Sequence, residues 1–366
     1  MSEENLVDTG GSASTANKPK LGQQVNKVAG YYKPSTWKEK GLWWTAGLFL
    51  VTYAIIVGVL GVIWSRSPSA FDARENALAL AQNDQKKLKT GYITTATTIK
   101  IAETLLDKPG GYLSNDITPP GVYLDNIPEW EFGVLTEVRD LARSLRNEFS
   151  RSQTQSTEDK DLQIAEPQFN FDSESWILPS TESEYRKGIE ALYRYLNRLG
   201  DDQASDGNFF ARADNLSIYL QVVEKRLGSY AQRLAASVGQ VSFNRDLAGD
   251  PNARQAQSRP EQSVVKTPWT QLDNVFFETR GYAWALLHTL KGIEHDFHDV
   301  LAGKNAIVSL KQIMRELEGT QDFIWSPVIL NGMGFALVAN HSLVMASYIS
   351  RANAAIIDLR NLLLQG

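Results

Sequence analysis

Apolar residues recur at alternating steps of three and four in five segments of the chain. Trp130, Val134, Val138, Leu141, Leu145 and Phe149 form the first series, and Tyr185, Ile189, Leu192, Leu196 and Leu199 the second. Leu216, Leu220, Val223, Leu227, Tyr230 and Leu234 form the third. The fourth runs through Leu272, Phe276, Thr279, Ala283, Leu286, Leu290, Ile293 and Phe297. The fifth runs through Phe335, Val338, Ser342, Met345, Ile349, Ala352, Ile356, Leu359 and Leu363. Each such series is one stripe of an α-helix. A stripe needs a partner to cover it, so the pattern predicts an antiparallel helical bundle. No sequence repeat relates the stripes, which excludes a solenoid.

One segment is apolar on every side. Leu42–Trp64 reads LWWTAGLFLVTYAIIVGVLGVIW and carries no charge. At about 1.5 Å per residue it spans roughly 34 Å, enough for a bilayer core. Trp43 and Trp44 stand at one end and Trp64 at the other, where indoles prefer the interface. The run is too long for a signal peptide and follows a tail of 41 residues. The fold class expected is therefore all-α: a single N-terminal transmembrane helix followed by a large helical-bundle domain. Lys18, Lys20, Lys27, Lys33, Lys38 and Lys40 precede the span, and only Arg66 and Arg74 follow closely. That bias orients the tail to the cytoplasm of a bacterial cell, the span in its inner membrane and the bundle in the periplasm.

Turn chemistry divides the rest. Asp107–Pro128 contains Gly110, Gly111, Pro119, Pro120, Gly121 and Pro128; Arg151–Pro179 is polar and then aromatic; Asp246–Pro268 reads as a polar crossover. The expected division is a disordered tail over 1–41, the span over 42–64, a membrane-proximal helical region with the Gly/Pro-rich loop over 65–180, and a distal bundle over 181–366. Tyr31–Lys40, with its aromatics and lysines, is expected at headgroup level. Phe323–Ser350 carries no Asp, Glu, Lys or Arg. Pro327, Asn331, Gly332, Gly334, Asn340 and His341 interrupt it, so it reads as a loop and a buried helix, not a second span.

Composition narrows the function. The whole chain has net charge −5, and the part beyond the span is acidic, which disfavours nucleic acid as a partner. Cysteine is absent, so no disulfide is used. No phosphate-cradling loop, nucleophile elbow or zinc-protease helix occurs, and no cofactor is expected. Three places could carry chemistry. Glu294–Asp299, EHDFHD, follows His288 in what reads as one helix. His295 and Asp299, one turn apart, are the metal candidates; the competing reading is a solvated face opposite the core stripe. Glu129 and Glu131, near Asp125 and Trp130, are candidate acid and base for glycoside cleavage. Against that, acidic residues after Pro128 suit a helix start. Tyr112, Tyr123 and Trp130 could make the Gly/Pro loop a recognition surface, or simply cap the bundle. Arg139, Arg143, Arg146 and Arg151 interleave with Glu137, Asp140 and Glu148, as on a solvated face.

GGYLSNDITPPG (Gly110–Gly121), LDNIPEWEFG (Leu124–Gly133), VRDLARSLRNEFSRSQTQS (Val138–Ser156) and TPWTQLDNVFF (Thr267–Phe277) carry a resemblance. With them the chain resembles an uncharacterised proteobacterial membrane-protein family catalogued as domain of unknown function 2333. The resemblance implies no activity. The residues favour a binding or scaffolding role, with the bilayer and an envelope protein as partners. Cleavage of an envelope polymer such as peptidoglycan, by a hydrolase or a lyase, and periplasmic ligand sensing stay open as alternatives.

Overall fold

The apolar stripes fall on helices, and each helix turns its stripe inward. A computed structural model describes residues 26, 28–152, 157–201, 206–243, 262–326, 328–333 and 337–365. Most of the tail, including Lys18, Lys20 and Lys27, lies outside them, as do Phe335, Pro327, Gly334 and most of the expected crossover. Residues up to Val59 form one unit and Leu60–Gly366 another.

In the first unit α1 (Pro34–Lys40) turns at Gly41 into α2 (Leu42–Trp64), whose last residues, from Leu60, belong to the second. The two pack through rings: Trp37 meets Phe49 edge-on at 5.4 Å and Tyr31 meets Trp44 at 5.9 Å. In helix α2 the 18 most apolar consecutive residues have a mean hydropathy of 2.5, and none of its residues is buried. It is long and apolar enough to cross a membrane.

The second unit is helical: α3 (Ala73–Leu80), α4 (Tyr92–Asp107), α5 (Asn126–Ser144), α6 (Leu162–Phe169), α7 (Thr181–Gly200), α8 (Ala213–Ala235), α9 (Leu272–Asp296), α10 (His298–Gly303), α11 (Ile307–Gly319) and α12 (His341–Leu364). Polar caps start several of them. Asp72 accepts from Glu75 N on α3, Ser180 from Ser183 N on α7, and Asn340 from Leu343 N on α12. Between α8 and α9 stands a two-stranded antiparallel ladder, β1 (Gln240–Phe243) and β2 (Gln262–Val265), registered Gln240 to Val265. It is an addition that the all-α reading did not foresee.

Helix α9 is the axis. It buries residues on all sides, among them Leu286, Leu287, Leu290 and Ile293. Helix α5 runs parallel to it: Asn274 donates to Glu129 near one end, and Phe149 meets Phe297 at the other. The backbones nearly touch where two glycines cross. A Cβ on Gly281 would stand 2.0 Å from Trp130 O, and one on Gly133 2.0 Å from Glu278 O. Helices α4, α8 and α11 run against α5 and α9. Asp296 accepts from Thr94 N at the start of α4, Arg233 pairs with Glu278, and Lys291 pairs with Glu318. Helix α12 packs antiparallel on α8 and α11, through Arg360–Glu224 and Arg351–Glu316. Contacts cross residue 180 freely, because α5 and α9 share one core.

Helix α4 carries no simple stripe and was absent from the periodic segments. It is buried nearly all round, threonines included. Thr95, Thr97 and Thr98 each donate to the carbonyl four residues back, which satisfies the hydroxyls inside the core. The fifth stripe begins later than its spacing indicates. Val338 is exposed and non-helical, while Ser342 through Leu363 are buried on α12 as expected.

Two substitutions test this packing. Gly281→Ala should lower unfolding stability by about 3 kcal/mol, the upper end of overpacking costs, whereas Gly303→Ala, with open space around it, should stay within about 0.5 kcal/mol. Ile356→Ala should cost about 2–5 kcal/mol. Urea titration of the detergent-solubilised protein, followed by helical circular dichroism, measures each.

Candidate functional site

The Gly/Pro loop is tied down by one carboxylate. Glu131, fully buried, accepts from Leu113 N at 2.9 Å, Ser114 N at 2.8 Å and Ser114 Oγ at 2.5 Å. It also pairs with buried Lys108, whose ammonium donates to Leu105 O and Gly111 O as well. Burial pushes Glu131 up and Lys108 down, while their mutual attraction opposes both shifts. The Glu131 oxygens are therefore committed to the loop and reach no solvent. Glu129 is half-buried; burial raises its pKa, and Asn274 donates to it.

The three aromatic residues of the candidate surface separate. Trp130 is 0% exposed and packs on Trp284, and Tyr112 is buried with its hydroxyl donating to Ser173 O. Neither ring faces solvent, because the loop folds over α5 and not away from it. Tyr123 is exposed. The interleaved charges of α5 do not form a solvated face either. Asp140 is buried and bidentate with Arg226, and Arg139 donates to Phe169 O and Phe171 O. Glu137 is fully buried with Tyr219 donating to it, and burial pushes its pKa up to about 8.

The histidines also separate. Helix α9 stops at Asp296 and α10 starts at His298, so the expected single helix is broken at Phe297. His295 and Asp299 border one surface cleft together with Arg74 and His298. Among the described residues no group of three or more His, Asp and Glu could hold a metal. His288 is not on a polar face. It is fully buried, stacks on Phe71 at 4.1 Å, accepts from Phe71 N and faces Trp284 O through Nδ1. Those partners fix the neutral tautomer with the proton on Nδ1, and burial pulls its pKa to about 4.

One groove of about 400 Å³ opens between α9, the end of α11 and the start of α12, and a larger, more polar cleft of about 1070 Å³ opens beside Phe71, Lys291 and Arg315. Phe276, Phe323, Ile324, Trp325, Met345 and Tyr348 line the groove, with Arg280 at one side. The guanidinium of Arg280 is held by Gln321 O and Asp322 O, and desolvation lowers its pKa. Apolar walls with few fixed polar groups suit a ligand or an apolar side chain. Periodicity could not find this groove, since its wall is a loop. The signal was the charge-free run starting at Phe323, beside Trp325.

A family model described as an uncharacterized protein conserved in bacteria, DUF2333, matches residues 37–366. No curated protein and no solved structure matches the chain.

Two buried groups give opposite pH signatures. Between about pH 4 and 6.5 the folded His288 holds fewer protons than the unfolded chain, so its contribution falls as pH drops through that window. The full amount is about 3 kcal/mol. Glu137 has a raised pKa, so its contribution is present below about 4.5 and is lost as pH climbs to about 8. Denaturation midpoints across pH 4–8 measure both. The difference between wild type and His288→Gln should grow with pH over the lower window. The difference between wild type and Glu137→Gln should shrink with pH over the upper one.

Proposed function

This chain belongs to the DUF2333 family of proteins conserved in bacteria, and from that premise we propose a membrane-anchored binding protein of the cell envelope. Helix α2 would hold it in the inner membrane, with the N-terminus cytoplasmic and the bundle in the periplasm. The bundle would bind an envelope protein through the groove beside Trp325. The observation that carries this reading is the groove itself, whose lining is more apolar than that of the larger cleft beside Lys291 and Arg315. Catalysis is disfavoured at Glu131, because all its bonding capacity is used inside the loop it clamps.

Two measurements test it. Alkaline phosphatase fused after Gly366 should be active, and activity only from a cytoplasmic reporter at that position would overturn the orientation. A photo-crosslinking residue at Phe323 should give an adduct of discrete mass in cells. The same residue at exposed Ile218 on α8 should give none. Equal or absent adducts at both positions would remove the groove as the binding face.

A further inference from the structure

Exposed aromatic residues in the unit from Leu60 onward are distributed unevenly. Trp176 is 55% exposed, Trp269 83% and Trp325 92%, and each sits in a different connection between helices, Trp269 in a single 3-10 turn. Tyr123 and Phe323 are exposed as well. Helix polarity brings these loops to one end of the bundle. Trp269 leads into the start of α9. Trp325 follows the end of α11, which Arg280 of α9 holds through Gln321 and Asp322. Trp176 precedes α7, and its loop is tied to the Gly/Pro loop where Asn115 donates to Ser175 O. Tyr123 lies just before the start of α5, which runs parallel to α9. Apolar Leu337, fully exposed, belongs to the loop before α12 at this same end.

The last turn of α2 is anchored here too. Trp64 lies against Gly110, at φ +94°, where a Cβ would stand 2.8 Å from the indole, and Gly61 faces Pro120 and Leu124. The chain thus enters the bundle at the end that carries the exposed tryptophans. The opposite end offers Val308 and Leu364 but no exposed aromatic ring among the described residues. Tryptophan in several loops, beside the end of an apolar span, is the composition of a surface that meets the headgroup region of a bilayer. The neighbouring charges are mixed, Asp116, Asp125, Asp172, Glu174 and Asp322 standing with Arg66, Lys266 and Arg280, so the exposed rings and not attraction to anionic lipid supply the contact.

We propose that this end of the bundle rests on the bilayer that holds α2, with Trp176, Trp269, Trp325 and Leu337 inserted at the lipid interface. The proposal builds on the anchored reading above. It also deepens that reading: the groove beside Trp325 then opens at the membrane surface, so its occupant is a membrane-associated partner.

The absence of cysteine makes the test direct. Full-length protein carrying one nitroxide-labelled cysteine, at Trp176→Cys, Trp325→Cys, Leu337→Cys or Val308→Cys, is reconstituted into phosphatidylcholine vesicles. Flotation after alkaline carbonate extraction reports the anchor. Relaxation of the label by oxygen against a water-soluble nickel chelate reports its depth. The expected result is flotation of all four, with labels 176, 325 and 337 favouring oxygen several-fold over label 308, and no change in 0.5 M salt. Flotation with all labels equally exposed to nickel would overturn the docking and leave the anchor standing. Failure to float would overturn both. Dipolar broadening at 325 and 337 without a depth signal would assign the surface to a second copy of the chain, which also overturns the proposal.

Discussion

Everything in the larger unit is arranged around the close approach of α5 and α9. Two glycines let the backbones meet where any side chain would collide with a carbonyl. The approach brings Trp130 onto Trp284, and Trp284 in turn onto His288 and Phe71. That chain of rings connects the segment just after α2 to the centre of the bundle. Interiors are packed as densely as organic crystals, so a shift at this crossing would be felt by every helix that leans on α9.

Around the crossing the core holds more polar chemistry than its apolar stripes imply. Glu131 and Lys108, Glu137 and Tyr219, Asp140 and Arg226, and His288 each remove an ionisable group from water and return specific partners. Desolvation drives Glu137 and His288 toward their neutral forms, and removing one member of a pair would leave the other stranded. These groups therefore specify which loop meets which helix. The Glu131 clamp is the clearest example, since it decides that the Gly/Pro loop lies down on the bundle and buries Tyr112.

The result is a polarised body. Within the larger unit one end gathers the Gly/Pro loop, the Trp176 loop, the two-stranded ladder and the groove. On the proposed reading, a membrane-anchored binding protein would use that asymmetry, with the end that carries Trp64 facing lipid. The ionisable groups with strongly shifted affinities for protons, Glu137 and His288, are inside, where they serve packing.

The sequence by itself determined the helices that carry a regular stripe, and it determined Leu42–Trp64 as an apolar helix of membrane-crossing length. Periodicity of three and four has one structural meaning, and an uncharged run of that length has few others. It also marked Phe323–Ser350 as a loop followed by a buried helix. Only the tertiary structure decided that Thr-rich α4 is a core helix, because the hydroxyls of Thr95, Thr97 and Thr98 are satisfied by its own backbone and its threonines cover no single face. Only the tertiary structure separated Tyr123 from Tyr112 and Trp130, and placed His288 in the core against Phe71. Residue type and spacing are local, whereas burial is set by whatever packs from elsewhere in the chain. The helix directions that bring Trp176, Trp269 and Trp325 to one end are likewise a property of the assembled bundle, since nearly 150 residues separate the first from the last.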